Sequence, residues 1–293
     1  MEACNRNGSR ALVGVLKDLP GALRLDVPLR SITTFRIGGP AWTVFEPAGT
    51  DALIEAVKRA RSLGIPWRIL GKGSNVLFPD QGFPGLIIST ACLSECHSDD
   101  DLVVAEAGVP LAKLSKLGFS SLAGIPGTVG GGLVTNAGTK FGQIGDQVEW
   151  VEVLLPSGEV ARWDVEACGF SYRDSRLRRL GVPVLKAGLR PKAGPDPTEV
   201  LAQRRASQPL DWPSAGCVFR NPREAPAGWL IDRAGLKGVR QGDAMISPRH
   251  ANFIVNTGRA RACDVLALVD RVRARVVKTF NVWLELELEV VTV

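Results

Sequence analysis

The chain has 293 residues, of which 45% are hydrophobic and 23% charged, a composition that excludes a disordered or collagen-like protein and suits two domains or three small ones. Its net charge is +6, but the basic residues form no long block and the only tyrosine is Tyr172, which argues against nucleic-acid binding and suits a small anionic ligand. No apolar stretch approaches the ~18 residues of a membrane span, and the run from Ala11 to Leu16 is too short for a signal-peptide core, so a cytoplasmic protein without a membrane or nucleic-acid partner is expected.

Along the chain, Trp42 to Pro47 reads as a strand, and Thr50 with Asp51 starts a helix that carries Leu53, Val57 and Ala60 on one face and closes at Gly64. A strand from Trp67 to Leu70 completes a β-α-β unit. Further strands are expected at Leu86 to Ser89, Leu102 to Ala105, Val148 to Leu155, Val160 to Asp164 and Val182 to Leu189, with Pro156-Ser157-Gly158 as a hairpin turn. Pro191 to Pro197 reads as a linker. Beyond it, Val265, Val269, Val272 and Val276 mark a helix, and the chain ends in Val282, Leu284, Leu286, Leu288 and Val290 alternating with Glu285, Glu287 and Glu289, the pattern of a strand.

The six cysteines stand at 4, 92, 96, 168, 217 and 263, without the spacing of a disulfide framework. Cys92, Cys96 and His97 could begin a metal site, but no second Cys or His pair completes tetrahedral coordination, so no metal is expected. The densest glycine signal runs from Gly124 to Gly132 and is followed by Asn136-Ala-Gly138. Such a run serves equally as a tight turn or as a cradle of N–H groups for a pyrophosphate. It has neither the Lys-Ser/Thr ending of a P-loop nor the dinucleotide fingerprint with its distal acid. A second glycine loop, Leu70 to Leu77, and a weaker third, Thr33 to Gly39, accompany it; two such loops suit a diphosphate-bridged cofactor.

These loops, together with the segments Phe170 to Ser175, Pro213 to Pro222, Ala227 to Gly238, His250 to Asn256 and Phe280 to Glu285, resemble the UDP-N-acetylenolpyruvoylglucosamine reductase family over nearly the whole chain. The resemblance implies an α+β, FAD-binding fold of the vanillyl-alcohol-oxidase (PCMH) type with a C-terminal α+β substrate domain. It implies FAD-binding subdomains at 1–82, joined by the C-terminal strand 280–293, and at 83–195, with a UDP-sugar domain at 196–279. It also implies noncovalent FAD, NADPH as reductant, a UDP-sugar substrate, a role in peptidoglycan precursor synthesis and a monomeric enzyme.

By the same resemblance, the FAD-binding residues are Arg36, Gly71, Lys72, Gly73, Ser74, Asn75, Val76, Ile125, Pro126, Gly127, Thr128, Gly130, Gly131, Asn136, Ala137 and Gly138. Those for the UDP-sugar are Tyr172, Arg220, Asn221 and Lys237. The catalytic residues are Arg173, a cation for the enolate; Cys217, where the family commonly has a serine proton donor; and Glu287, assisting. Read without the family, Arg173 is a surface partner of Asp174, Cys217 a small apolar filler, and Glu287 one of three acids on an exposed strand face. Ser207 stands where some relatives carry a basic residue, and the absence of a tyrosine-bearing insertion before the linker suggests the shorter class of the family. The competing expectations are another FAD enzyme of the same fold, such as an alcohol or sugar-lactone oxidase, and a non-catalytic UDP-sugar-binding protein.

Overall fold

The structure is a computed structural model that describes residues 12–292; Cys4 and Ala11 lie outside the described residues. The chain forms two compact units interleaved in sequence. One comprises the residues through Asp26, Trp42–Lys72 and Pro84–Ala202, the other Val27–Ala41, Gly73–Phe83 and the chain from Gln203 onward.

The first unit holds two apolar cores. One lies on the helix Thr50–Ser62, whose Ala52, Leu53, Ala56, Val57 and Ala60 recur at helical spacing and pack with Phe45, Leu86 and Ile88. The accompanying sheet has the order Gly21–Pro28, Pro40–Pro47, Phe83–Ser89, Trp67–Leu70. The expected β-α-β unit is therefore split: the strand Phe83–Ser89 enters between its two strands and pairs in parallel with Trp67–Leu70. Its central residues, Leu86, Ile87 and Ile88, are all fully buried, as a strand covered on both faces requires.

The second core of this unit lies on a five-stranded sheet in which Val148–Leu154 pairs antiparallel with Val160–Asp164 and with Val184–Leu189. The Pro156-Ser157-Gly158 turn joins the first two, closed by the Gly158 N–H donating to the Leu155 carbonyl at 2.9 Å. The order continues through Leu102–Glu106 to Cys96–Asp99. Cys168 is fully buried in this core, and desolvation, aided by the nearby Asp164 carboxylate, pushes its thiol up to about 11, so it serves as apolar filling.

In the second unit a sheet ordered Ser214–Cys217, Phe253–Asn256, Ala244–Ile246, Arg240–Gln241 is covered by the helix Ala262–Phe280. Val265, Leu268, Val269, Val272 and Val276 form that helix's buried face, and Asp80 accepts from the N–H groups of Ala262 and Cys263 at its start, at 2.7 and 3.1 Å. The C-terminal alternation survives as burial: Val282, Leu284 and Leu288 are inside and Glu285 outside. Most of it is not a ladder. Among the described residues, Glu289–Val290 pairs in parallel with Val76–Leu77 and Leu286 makes a single antiparallel bridge to Phe219, while the N–H groups of Glu287 and Leu288 both turn to the carbonyl of Val218, at 2.9 and 3.2 Å. Among the described residues no helix is long and apolar enough to cross a membrane.

Candidate active site

In the first unit, the glycine run leads into the helix Val129–Thr135, so it is a helix entry rather than a turn between strands. Thr128 caps it, its Oγ1 accepting from the Gly131 N–H at 3.5 Å. The N–H groups of Val129 and Gly130 donate to the carbonyls of Val109 and Ala107 at 2.8 Å each and fasten the run to its neighbouring segment. A Cβ on Gly71 would lie 2.5 Å from Thr128 Oγ1, so the second glycine loop meets the first at a position where a side chain would have to displace the threonine hydroxyl. Ile125, Pro126 and Gly127 precede the cap, Pro126 exposed at the surface.

The helix ends at Asn136, in the left-handed region (φ 46°, ψ 57°) and 2% exposed. Its Oδ1 accepts from the Gly145 N–H at 3.0 Å, and its Nδ2 donates to the Ser171 carbonyl at 2.8 Å and to Gln143 Oε1 at 3.1 Å. That amide holds a tight turn, in which Ser171 and Asp174 exchange backbone hydrogen bonds of 3.0 and 3.2 Å and Arg173 takes a φ of 56°. The Arg173 guanidinium then donates back to the Gly138 carbonyl at 2.8 Å and the Asn136 carbonyl at 3.5 Å, passing 5.4 Å from the ring centre of Tyr172. Asp174 takes Arg179 as its ion partner. A left-handed arginine costs conformational energy, which this turn over-determines. The sequence elements Asn136-Ala137-Gly138 and Phe170 to Ser175 thus meet, and the guanidinium is fixed in place.

In the second unit, Cys217 ends the strand Ser214–Cys217. Ser214 pairs with Val255 and Cys217 with Phe253, so the cysteine's strand carries one extra residue, a bulge. Gly216 sits in it at φ 79°, a conformation that a side chain would strain. The next carbonyl, of Val218, receives the Glu287 N–H, and the Glu287 carbonyl accepts from Asn75 Nδ2 at 3.1 Å. Cys217, Glu287 and Asn75 are in this way brought onto one hydrogen-bonded patch, both Cys217 and Glu287 partly exposed. Arg220 joins it through its N–H, which donates to the Glu285 carbonyl at 2.9 Å.

The other expected residues of this unit have contacts of their own. Gly73 accepts from the Thr34 N–H at 3.1 Å, and Thr34 Oγ1 donates to the Ser214 carbonyl at 2.8 Å. Arg36 is exposed at φ 56°, and Asn256 Nδ2 reaches the carbonyls of Phe35 and Arg36 at 3.2 and 3.3 Å. Val76 pairs with Glu289. Asn221 Oδ1 accepts from the Ala227 N–H at 3.0 Å and Lys237 is bonded to Asp232 at 2.7 Å, so both also serve the fold.

Asn252 and Asn256, both 3% exposed, are functional residues of the segment His250 to Asn256 that sequence reasoning does not single out. The available signal was chemical: an amide beside the apolar run Phe253-Ile-Val255 must find hydrogen bonds once buried.

The residues expected to hold FAD fit a diphosphate-bridged cofactor. From Ile69 to Pro79 and from Phe119 to Gln143 there is no carboxylate, and the two loops carry small residues together with hydroxyl, amide and ammonium groups, packed closely enough that a Cβ on Gly71 would meet Thr128. A family model for an FAD binding domain matches residues 42–164, and one for the UDP-N-acetylenolpyruvoylglucosamine reductase C-terminal domain matches 208–291. The chain is 39% identical to the UDP-N-acetylenolpyruvoylglucosamine reductase of Heliobacterium modesticaldum, covering 94% of this chain and 93% of that protein. It is 41% identical to the enzyme of the same description from Moorella thermoacetica, covering 95% and 98%. The crystal structure of the Thermus caldophilus reductase superposes with a TM-score of 0.77 at 39% identity, covering 92% of this chain and all of that one. Agreement on this scale of sequence, domain content and α+β fold places the chain in the UDP-N-acetylenolpyruvoylglucosamine reductase family, whose members are FAD-containing oxidoreductases.

Proposed function

We propose that this protein reduces UDP-N-acetylglucosamine enolpyruvate to UDP-N-acetylmuramate with NADPH, in peptidoglycan precursor synthesis. The observation that carries the reading, beyond family membership, is the hydrogen-bonded patch that joins Cys217 to Glu287 through the Val218 carbonyl. FAD, when bound, supplies the hydride that passes from NADPH to the enolpyruvyl methylene carbon. The residues expected to hold it are those of the glycine loops, among them Gly71, Lys72, Ser74, Thr128 and Gly131; Tyr172, Arg220, Asn221 and Lys237 are assigned to the UDP-sugar.

Addition of hydride to the methylene carbon leaves negative charge on the neighbouring carbon and its carboxylate. Arg173 binds the carboxylate oxygens through its planar, permanently charged fork and lowers the energy of that enolate. Cys217 Sγ gives its proton to the neighbouring carbon, which completes the saturated lactyl ether. Glu287 assists proton delivery.

The test is anaerobic absorbance spectroscopy on the FAD-loaded protein. NADPH should bleach the flavin and the enolpyruvyl substrate should restore it; bleaching without recovery would point to another substrate. Cys217→Ala should leave bleaching intact and slow recovery by about a hundredfold, the scale of a lost general acid. Arg173→Lys should also slow recovery despite conserving charge. Recovery at the wild-type rate in either variant would remove that residue from its role.

A further inference from the structure

We infer that Asn252 is a positioning residue for the proton-delivery step, acting through the backbone that carries Cys217 and receives Glu287; the inference rests on the roles proposed above for those two residues. Asn252 holds three consecutive peptide units, those on either side of Val218 and Phe219, by three bonds. Its carbonyl accepts from the Val218 N–H at 2.8 Å, its Oδ1 accepts from the Phe219 N–H at 2.9 Å, and its Nδ2 donates to the Phe219 carbonyl at 2.8 Å. The amide therefore pairs with Phe219 as a strand neighbour would, at the point where the bulge at Gly216 has thrown the ladder out of register.

The clamp has a second consequence. The peptide it grips on the N–H side presents the Val218 carbonyl, and that one oxygen receives both Glu287 and Leu288. A shift of Val218 moves the cysteine that precedes it and the glutamate bonded to it together. Val218 and Phe219 are 2% and 1% exposed, and Asn252 itself 3%, so water cannot replace the lost bonds. Asn252 is in turn held by its own N–H, which donates to His250 Nδ1 at 3.3 Å, while the His250 ring packs edge-on against Phe253 with centroids 4.9 Å apart. Burial lowers the proton affinity of that ring, which favours the neutral form able to accept. The motif His250 to Asn256 is on this reading a positioning strand: its first asparagine sets the Cys217 segment, and its second, Asn256, the Arg36 loop.

The test compares Asn252→Ala, Asn252→Asp, Cys217→Ala and the Asn252→Ala/Cys217→Ala double variant as FAD-loaded proteins, each half-reaction followed separately. Asn252→Ala should keep bleaching by NADPH within about twofold and slow recovery by UDP-N-acetylglucosamine enolpyruvate about tenfold or more, since small misplacements of reacting groups cost that much. Asn252→Asp has the same size, keeps the acceptor for Phe219 N–H and loses the donor; it should fall between, and it carries the test if the alanine variant does not fold. The double variant should recover no more slowly than Cys217→Ala alone, because the two act on one step. Hydrogen exchange should show protection lost at the Phe219 amide in Asn252→Ala.

Wild-type recovery in the Asn252 variants, equal slowing of both half-reactions, or losses that multiply in the double variant would each overturn the inference. Cys217→Ala recovering at the wild-type rate would instead overturn the assignment of Cys217 on which it rests. A slow Cys217→Ala beside a normal Asn252→Ala would sink the positioning role alone.

Discussion

The segments that carry Arg173 and Cys217 are each held by a buried asparagine, at different points. In the first unit the functional group itself is tethered: the Arg173 guanidinium donates to the carbonyls of Gly138 and Asn136, on a turn that Asn136 pins. In the second unit the backbone beyond Cys217 is tethered, through Asn252 and the Val218 carbonyl. The difference follows the chemistry each residue is proposed to do. A cation that stabilises developing charge works best when it is already oriented and costs no reorganisation, and a proton donor must be carried by a backbone that keeps it within reach of the carbon it protonates. Both units use a buried asparagine, because one amide can satisfy an N–H and a C=O together.

The comparison breaks first at Asn136. Asn136→Ala removes the partners of the Gly145 N–H and the Ser171 carbonyl inside the protein, and chemical denaturation should show about 3 kcal/mol lost. If Arg173 depends on that turn, the variants that still bind FAD should also recover slowly; an unchanged recovery rate would show that the arginine is held without it. A smaller effect is expected at the meeting of the glycine loops. Gly71→Ala places a Cβ where Thr128 Oγ1 stands and should destabilise by about 1 to 2 kcal/mol while weakening FAD retention, measured by flavin release on dilution. Full retention would make this contact structural only.

The smallest effect sharpens the second unit's side of the comparison. His250 has its proton affinity lowered chiefly by desolvation, with the Lys237 charge adding to it. The unfolded chain therefore binds the proton first as pH falls, and the stability from burying the neutral ring, complete above the ordinary imidazole range, is lost on acidification through and below that range. Between about pH 7 and 5 the wild type should lose melting temperature more steeply than His250→Gln. Parallel slopes would show that this ring does not titrate with folding.

Much of this was legible in the residues. The helix Thr50–Ser62 was readable because its apolar positions recur every three to four residues after a helix-starting Thr-Asp, and the hairpin Val148–Leu154 with Val160–Asp164 because Pro-Ser-Gly punctuates two apolar runs. Both are local patterns. The C-terminal alternation was readable as burial but not as pairing, since Glu287 and Leu288 spend their N–H groups on a carbonyl about seventy residues away in sequence, which no periodicity encodes.

The same division runs through the site. Local sequence determined where backbone freedom is concentrated, in the glycines around 71–73 and 124–138, because only glycine tolerates such close approach and such dihedrals, and the order of its motifs determined the family. Tertiary structure decided what each polar residue does there: that Asn136 pins the turn of Arg173, that Arg179 takes Asp174, and that Asn252 grips the peptide beyond Cys217. A buried amide's partners are whichever N–H and C=O groups folding leaves unsatisfied beside it, so its role exists only once distant segments have been brought into hydrogen-bond range.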